Sequence, residues 1–155
     1  MDCSSADLGE GNLSAFQQIA ASGLGCAAHD IGLDIGTTDN TNSWSTNASR
    51  SVVVTGNAVA KAARQLAVRI DAGENGVLEE TAHFAPDFPE KLTLGAPHVG
   101  YSYGIQAVRI ALDTATANVT IEEVETWLDA GTVINPDGVT GRSKAVWRRG
   151  WALPE

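Results

Sequence analysis

Two short loops carry residue types that could bind an anion. The first is Gly9-Glu10-Gly11, ahead of a helical pattern, and the second is Asn47-Ala48-Ser49-Arg50-Ser51, ahead of a longer one. A helix N-terminus offers backbone N–H groups and a partial positive charge, and phosphate binds there when small residues let it approach. The serine hydroxyls and Arg50 would add donors. A capped helix start without any ligand gives the same pattern, so both interpretations stay open.

The other reactive residue types form no recognisable catalytic set. His29, His83 and His98 are scattered and lack the spacing of metal ligands on a helix. Cys3 and Cys26 form no metal-binding motif, and we interpret them as reduced core residues. The residue types therefore predict no catalytic residue and no metal ligand in this chain.

Composition and charge narrow the possible partners. The chain has 155 residues, of which 43% are hydrophobic and 19% charged, as expected for one globular domain. A formal charge of -9 opposes general nucleic-acid binding, because the phosphate backbone would repel most of the surface. There is no secretory signal and no apolar run of the roughly 18 residues that a membrane helix needs. We expect a cytoplasmic protein without nucleic-acid or membrane partners.

The hydrophobic pattern predicts mixed elements. A helix should begin after Asn12 as N-cap, and Gly23 and Gly25 should stop it. Residues 31–36 alternate like a strand, and a longer apolar pattern with helical spacing runs from Val59 to Ile70.

The second half of the chain predicts a hairpin. Residues 71–97 contain three prolines and fit no regular element, and strands follow at 108–112 and 119–128, joined by a six-residue loop. Asn135-Pro136-Asp137-Gly138 predicts a turn. An antiparallel pair together with helices indicates the α+β class.

Taken in order, three stretches resemble the molybdopterin-binding large subunit of the xanthine dehydrogenase and aldehyde oxidoreductase family, the molybdenum hydroxylases. The first is ADLGEGNLSAFQQIAASGLG, similar to the family segment where a Gly-Gln-Gly turn opens a helix of the second molybdenum-cofactor domain. The second is TTDNTNSWSTNASRSVVVTGNAVAKAARQL, where a small-Ser-Arg loop precedes a helix that starts near Gly-Asn-Ala. The third is VGYSYGIQAVRIALDTATANVTIEEVETWLDAGTVINPDGVTG, a hairpin followed by an Asp-x-Gly-x-x-x-Asn-Pro turn.

The resemblance implies an internal fragment of that domain. It covers residues 1–141, with 71–96 as an unmatched connecting segment. The implied cofactor is a molybdenum-pyranopterin, with or without a cytosine dinucleotide tail. The implied contacts are Gly9, Glu10 and Gly11 in the first loop and Ala48, Ser49, Arg50 and Ser51 in the second. Glu10 departs from the family's glutamine, and a carboxylate lacks the amide's donor and would repel a phosphate.

The resemblance also implies partners and a parent reaction. Iron–sulfur clusters and FAD would lie only on partner domains or subunits. The implied partners are the remaining part of the large subunit, an iron–sulfur subunit and a flavin subunit. The parent reaction hydroxylates a carbon of an aldehyde or an N-heterocycle with oxygen from water. The glutamate that serves the family as general base has no counterpart in the chain, so we predict that the chain alone is inactive.

The basic end of this acidic chain fits a frameshift. Residues 141–152 read GRSKAVWRRGWA, where the family has a pattern close to Gly-Gln-x-Glu-Gly-Gly-x-x-Gln-Gly-x-Gly. With a suitable choice of synonymous codons, one nucleotide added after the codon of Gly141 changes the reading to GQIEGGVAQGLG. We therefore interpret residues 142–155 as a frameshifted tail. Two alternatives remain: a short cofactor-binding subunit of a split enzyme, and a non-enzymatic α+β binding or scaffold domain.

Overall fold

The computed structural model describes residues 1–3, 5–34, 46–85 and 101–151 of the chain. The elements, in chain order, are α1 (Asn12–Leu24), a 3-10 turn (Ala28–Asp30), a π-helical turn (Val52–Gly56), α2 (Asn57–Asp71), β1 (Tyr103–Leu112), β2 (Val119–Asp129) and α3 (Pro136–Trp151). Helices and one antiparallel strand pair confirm the α+β class. The chain divides into a helical unit, Met1–Pro86 with Ile134–Glu155, and a hairpin unit, Asp87–Val133.

Glycines bound the first helix at both ends. Of the two predicted stop residues, Gly23 lies inside the helix and Gly25 ends it, because Gly25 adopts φ 71° and its N–H donates back to Ala21 O. The prediction of Asn12 as N-cap is wrong. Asn12 is the first helical residue, and Gly11 with φ 81° is the cap. Glycine adopts this left-handed conformation without strain. Because Gly11 has no side chain, the N–H groups of the first turn must be capped by a side chain from elsewhere.

The helices α1 and α2 run in the same direction and pack closely. A Cβ added at Gly56 would lie 3.1 Å from Ile19 Cδ1, and one added at Gly23 would lie 2.7 Å from Ala63 Cβ. The contact partners thus advance together along both helices. The two glycines allow this approach, since they leave no side chain at the contact. Gly56 therefore lies at a point of close packing between the two helices.

A small core forms where these helices meet. Phe16 is completely buried and packs with Ala20 and Val59. Half-buried side chains surround this cluster: Met1, Cys3, Leu13, Ile19 and Ile31. The segment before α1 and the segment after it meet on this core, where Asp2 forms an isolated parallel bridge with Asp34. The strand expected at 31–36 is therefore only a single bridge as far as residue 34, and residues 35 and 36 lie outside the described part.

The hairpin is confirmed, and it contains one irregularity. Arg109 pairs with Glu123 but Ile110 pairs with Ile121, so Glu122 is an extra residue in β2, a β-bulge. In β2, Val119 and Ile121 occupy odd positions before the bulge, and Val124 and Leu128 occupy even positions after it. The bulge therefore brings apolar residues of both strands to one face of the sheet, called here the apolar face: Val108, Ile110, Leu112, Val119, Ile121, Val124 and Leu128.

The turn expected at 135–138 is the start of a helix. Asn135 Oδ1 accepts a hydrogen bond from Gly138 N at 3.1 Å, and α3 begins at Pro136. This sequence is also typical of a helix start, in which asparagine is the N-cap, proline is the first helical residue and an acidic residue follows. The turn prediction is wrong because these residues suit both structures. The backbone of α3 continues to Trp151, through much of the basic tail.

Candidate functional site

The two candidate loops lie at the same end of the helix pair. Because α1 and α2 are parallel, their N-termini share one end, and each loop immediately precedes one of these helical segments. A hydrogen bond links the loop regions directly, since Thr46 Oγ1 donates to Ala6 O. The partial positive charges of two helix starts therefore lie near each other. This arrangement brings the seven predicted contact residues into one region.

The second loop is exposed and conformationally strained. Ala48 and Ser49 both have φ of 53°, in the left-handed region that residues with a Cβ rarely adopt. Arg50 is exposed, and its Nη2 donates to Asn47 Oδ1 at 3.0 Å. Ser51 then leads into the π-helical turn. The loop therefore carries an exposed guanidinium, and two serines flank it in the sequence. Guanidinium and hydroxyl groups are donors that can bind a phosphate.

The first loop is closed by the carboxylate of Asp7. Asp7 Oδ1 accepts hydrogen bonds from Gly9 N at 2.7 Å and Glu10 N at 3.1 Å. Its Oδ2 accepts from Leu13 N, in the first turn of α1, at 3.2 Å. These are the backbone donors that an anion at the helix start would use. Asp7 supplies the cap that was wrongly assigned to Asn12.

The hydrogen bonds to Asp7 also determine its protonation. Partial burial by itself raises the pKa of Asp7, but hydrogen bonds from backbone N–H groups, chiefly those of Gly9 and Leu13, outweigh it and lower the pKa below the ordinary carboxyl value. Asp7 is therefore ionised at neutral pH. Its negative charge stabilises the positive end of α1.

Glu10 turns its side chain back onto its own loop. Its Oε2 accepts from Leu8 N at 2.6 Å, and its Oε1 accepts from Asn12 Nδ2 at 2.8 Å. Asn12 is itself buried, with 7% of its surface exposed. The family's glutamine could use its amide N–H₂ to donate, whereas this carboxylate acts only as an acceptor. Two carboxylates accept hydrogen bonds within the first loop, whereas the second loop, Asn47 to Ser51, contains no carboxylate and carries the exposed Arg50.

Sequence reasoning found the loops but missed the residue that closes one of them. Asp7 stands two residues before Gly9, and an aspartate that bonds to the backbone two residues on is a known turn pattern. That pattern was the available signal.

Metal ligation and membrane insertion can be checked in the part of the chain that the structure describes. There, no group of three or more His, Cys, Asp or Glu residues is placed to hold a metal ion. Within the same residues, no helix has both the length and the apolar character needed to cross a membrane.

Comparison with known proteins identifies a family to which the chain is similar. A family model described as the molybdopterin cofactor-binding domain matches residues 1–77 and 69–144. The chain is 28% identical over 188 residues to a probable xanthine dehydrogenase subunit from Bacillus subtilis, covering 96% of this chain and 25% of that protein. It is 26% identical over 171 residues to a xanthine dehydrogenase from Emericella nidulans, covering 95% of this chain and 12% of that protein.

The lengths of these alignments carry further information. Both exceed the 155 residues of the chain, so the two relatives contain internal residues that have no counterpart here. The chain spans a quarter or less of either relative. The family model covers well over half of the chain, including both candidate loops, both packed helices and the hairpin. The chain therefore belongs to the molybdopterin cofactor-binding domain family, as part of the xanthine dehydrogenase-like proteins.

Proposed function

We propose that this chain forms part of a molybdopterin site and holds an acidic group of the cofactor at the second loop. Ala48, Ser49, Arg50 and Ser51 would bind a phosphate of the pyranopterin, or of a cytosine dinucleotide tail where one is present. The observation that carries the proposal is the parallel packing of α1 and α2. Two helix starts lie at one end, and an exposed arginine lies in one of the two loops there.

The proposed assembly is a molybdenum hydroxylase. The bound cofactor would supply the oxidation of an aldehyde or N-heterocycle carbon, with oxygen from water. This chain's residues would bind and orient, and they would neither donate nor accept the reacting proton. The remaining part of the large subunit, an iron–sulfur subunit and a flavin subunit are the proposed partners, in the cytoplasm. We expect no turnover from this chain alone.

The proposal can be tested by co-purification. The chain would be expressed in a host that makes molybdopterin, purified and denatured, and the released pterin would be oxidised and measured by fluorescence. We expect pterin in the wild-type sample and at least a tenfold reduction in Arg50→Ala, because charge-assisted hydrogen bonds to phosphate are among the stronger ones. The matched control is Arg64→Ala, an exposed arginine further along α2.

The amounts of pterin in these samples distinguish the proposed site from a scaffold domain and from a split enzyme. Equal pterin in Arg50→Ala and Arg64→Ala would contradict the role of the second loop. No pterin in any sample, including one co-expressed with the missing segments of the large subunit, would favour the scaffold interpretation. Pterin that appears only with a separately encoded partner would favour a split enzyme.

The nature of the tail needs its own experiment. We propose that residues 142–155 arise from a frameshift, supported by the family pattern that one added nucleotide restores. Sequencing the locus through the codons of residues 135–155 tests this directly. An unchanged reading frame in independent clones would contradict it, and the basic residues of the tail would then require a role in the protein.

A further inference from the structure

We infer that Asp7 and Glu10 close the first loop to phosphate, so that the loop equivalent to the family's Gly-Gln-Gly turn makes no phosphate contact in this chain. The inference rests on the proposed function, since it concerns which part of the same site receives the acidic group. It departs from the expectation that Gly9, Glu10 and Gly11 contact the cofactor together with the second loop.

The geometry of the backbone donors is the first ground. The N–H groups of Gly9, Glu10 and Leu13 all point to the carboxylate of Asp7, at 2.7, 3.1 and 3.2 Å. A phosphate could reach these donors only by displacing that carboxylate. Displacement would exchange one set of charge-assisted hydrogen bonds for another and would leave the Asp7 carboxylate beside the incoming anion. Phosphate binding at these donors therefore has no favourable net free energy.

The second ground is the orientation of Glu10. Its two oxygens are held by Leu8 N and Asn12 Nδ2, on either side of the loop. The side chain therefore stays over the glycine turn. A phosphate there would meet two negative charges within the same few residues, and like charges at close range are unfavourable even in a partly solvated site.

The second loop contrasts with the first on both counts. It contains no carboxylate between Asn47 and Ser51, and its charged side chain is the exposed Arg50. Of the two helix starts at the same end of the helix pair, the first is neutralised by a carboxylate of its own segment, and the loop before the second contains no carboxylate from residue 46 to residue 51, where the structure describes it. The chain thus directs an acidic ligand to one side of the shared end.

Amide chemical shifts test the inference without requiring an active enzyme. The ¹⁵N-labelled chain would be titrated at neutral pH with inorganic pyrophosphate, against sodium chloride of equal ionic strength. In the wild type we expect specific shifts at Ser49, Arg50 and Ser51 and none at the first-loop amides. In the double variant Asp7→Asn, Glu10→Gln, the first-loop amides should also shift, and pyrophosphate should bind at least tenfold more tightly.

A matched control removes the same charge elsewhere. Asp113→Asn with Glu125→Gln changes one aspartate that accepts hydrogen bonds within the turn of the hairpin and one exposed glutamate of β2. In this control variant, the first-loop amides should show no shift with pyrophosphate. If the Asp7, Glu10 double variant loses its dispersed spectrum, the single variant Asp7→Asn, whose neutral amide oxygen can still accept a backbone hydrogen bond, replaces it and should show a gain in first-loop shifts that the control lacks.

The outcomes distinguish the inference from the proposed function. Pyrophosphate shifts at the first-loop amides of the wild type would overturn the inference, and so would a folded double variant that gains none. First-loop shifts gained in the double variant, with no second-loop response in any sample, would support the inference and refute the proposed role of the second loop.

Discussion

The helical unit and the hairpin unit treat apolar side chains in opposite ways. In the helical unit, α1 and α2 pack so closely that Phe16 has no exposed surface. In the hairpin, every residue of β1 is exposed, and Ile121 and Val124 of β2 are only half-buried. The hairpin nevertheless gathers seven apolar residues on one face by means of the bulge at Glu122.

The difference shows where the free energy of folding arises. Burial of apolar surface stabilises a fold by about 25 cal/mol per Å² removed from water, so the helical unit has a source of stability that the hairpin lacks. An isolated two-stranded hairpin is at best marginally stable in water. The hairpin depends on cross-strand contacts such as the ion pair of Arg109 Nη2 with Glu123 Oε2 at 2.5 Å. The two units should therefore respond differently to substitution.

The largest effect should come from the core of the helical unit. Phe16→Ala removes its only completely buried large side chain among the described residues and should cost about 3–5 kcal/mol of the free energy of unfolding. Tyr103→Ala, at a position with 69% exposure in β1, should cost less than about 0.5 kcal/mol. Chemical denaturation followed by circular dichroism measures both. Equal losses would show that the two units do not differ as described.

A second, smaller effect should follow from the helix contact. Gly23→Ala places a Cβ 2.7 Å from Ala63 Cβ, so the helices must separate, and the loss should be about 1–3 kcal/mol. The compensating change Ala63→Gly should recover part of that loss in the double variant. Gly32→Ala, which meets no atom within 4 Å, is the matched control and should be nearly neutral. Additive losses without recovery would contradict the direct contact.

Removal of the α1 cap should have a moderate, pH-dependent effect. Asp7→Ala should lower the free energy of unfolding by about 1 kcal/mol, as for the loss of a helix cap. The pKa of Asp7 is lowered by folding, so its ionised form contributes stability above the unfolded pKa of about 4, and that contribution is lost as pH falls through the folded pKa. Denaturation of wild type and variant between pH 7 and pH 2 should therefore show two curves that converge at low pH. A constant difference would contradict the role of the charge.

The smallest effect is expected on the apolar face of the hairpin. Ile110→Thr, at 52% exposure, should change stability by no more than about 0.5 kcal/mol when the chain is monomeric. Repeating the measurement at tenfold higher protein concentration provides the control. A loss above about 1 kcal/mol, or one that grows with concentration, would show that a second body covers this face and that the hairpin is not an exposed sheet.

The sequence predicted the elements better than it predicted their boundaries. Apolar spacing identified both packed helices and the hairpin, because these patterns reflect which faces avoid water. It misassigned Asn12, because a side chain five residues upstream, at Asp7, supplies the cap. It also misread residues 135–138, because asparagine and proline serve turns and helix starts alike. The bulge at Glu122 was missed, although the change from odd to even apolar positions in β2 was visible.

By itself the sequence determined the α+β composition, the family and the two glycine- and serine-bearing loops, because each depends on local residue types in a fixed order. Only the tertiary structure decided that α1 and α2 run parallel, and hence that the two loops share one end. It alone decided that Asp7 and Glu10 turn their carboxylates onto the first loop while Arg50 stays exposed on the second. Donor availability depends on where each side chain points, and that orientation is set by the packing of the surrounding backbone.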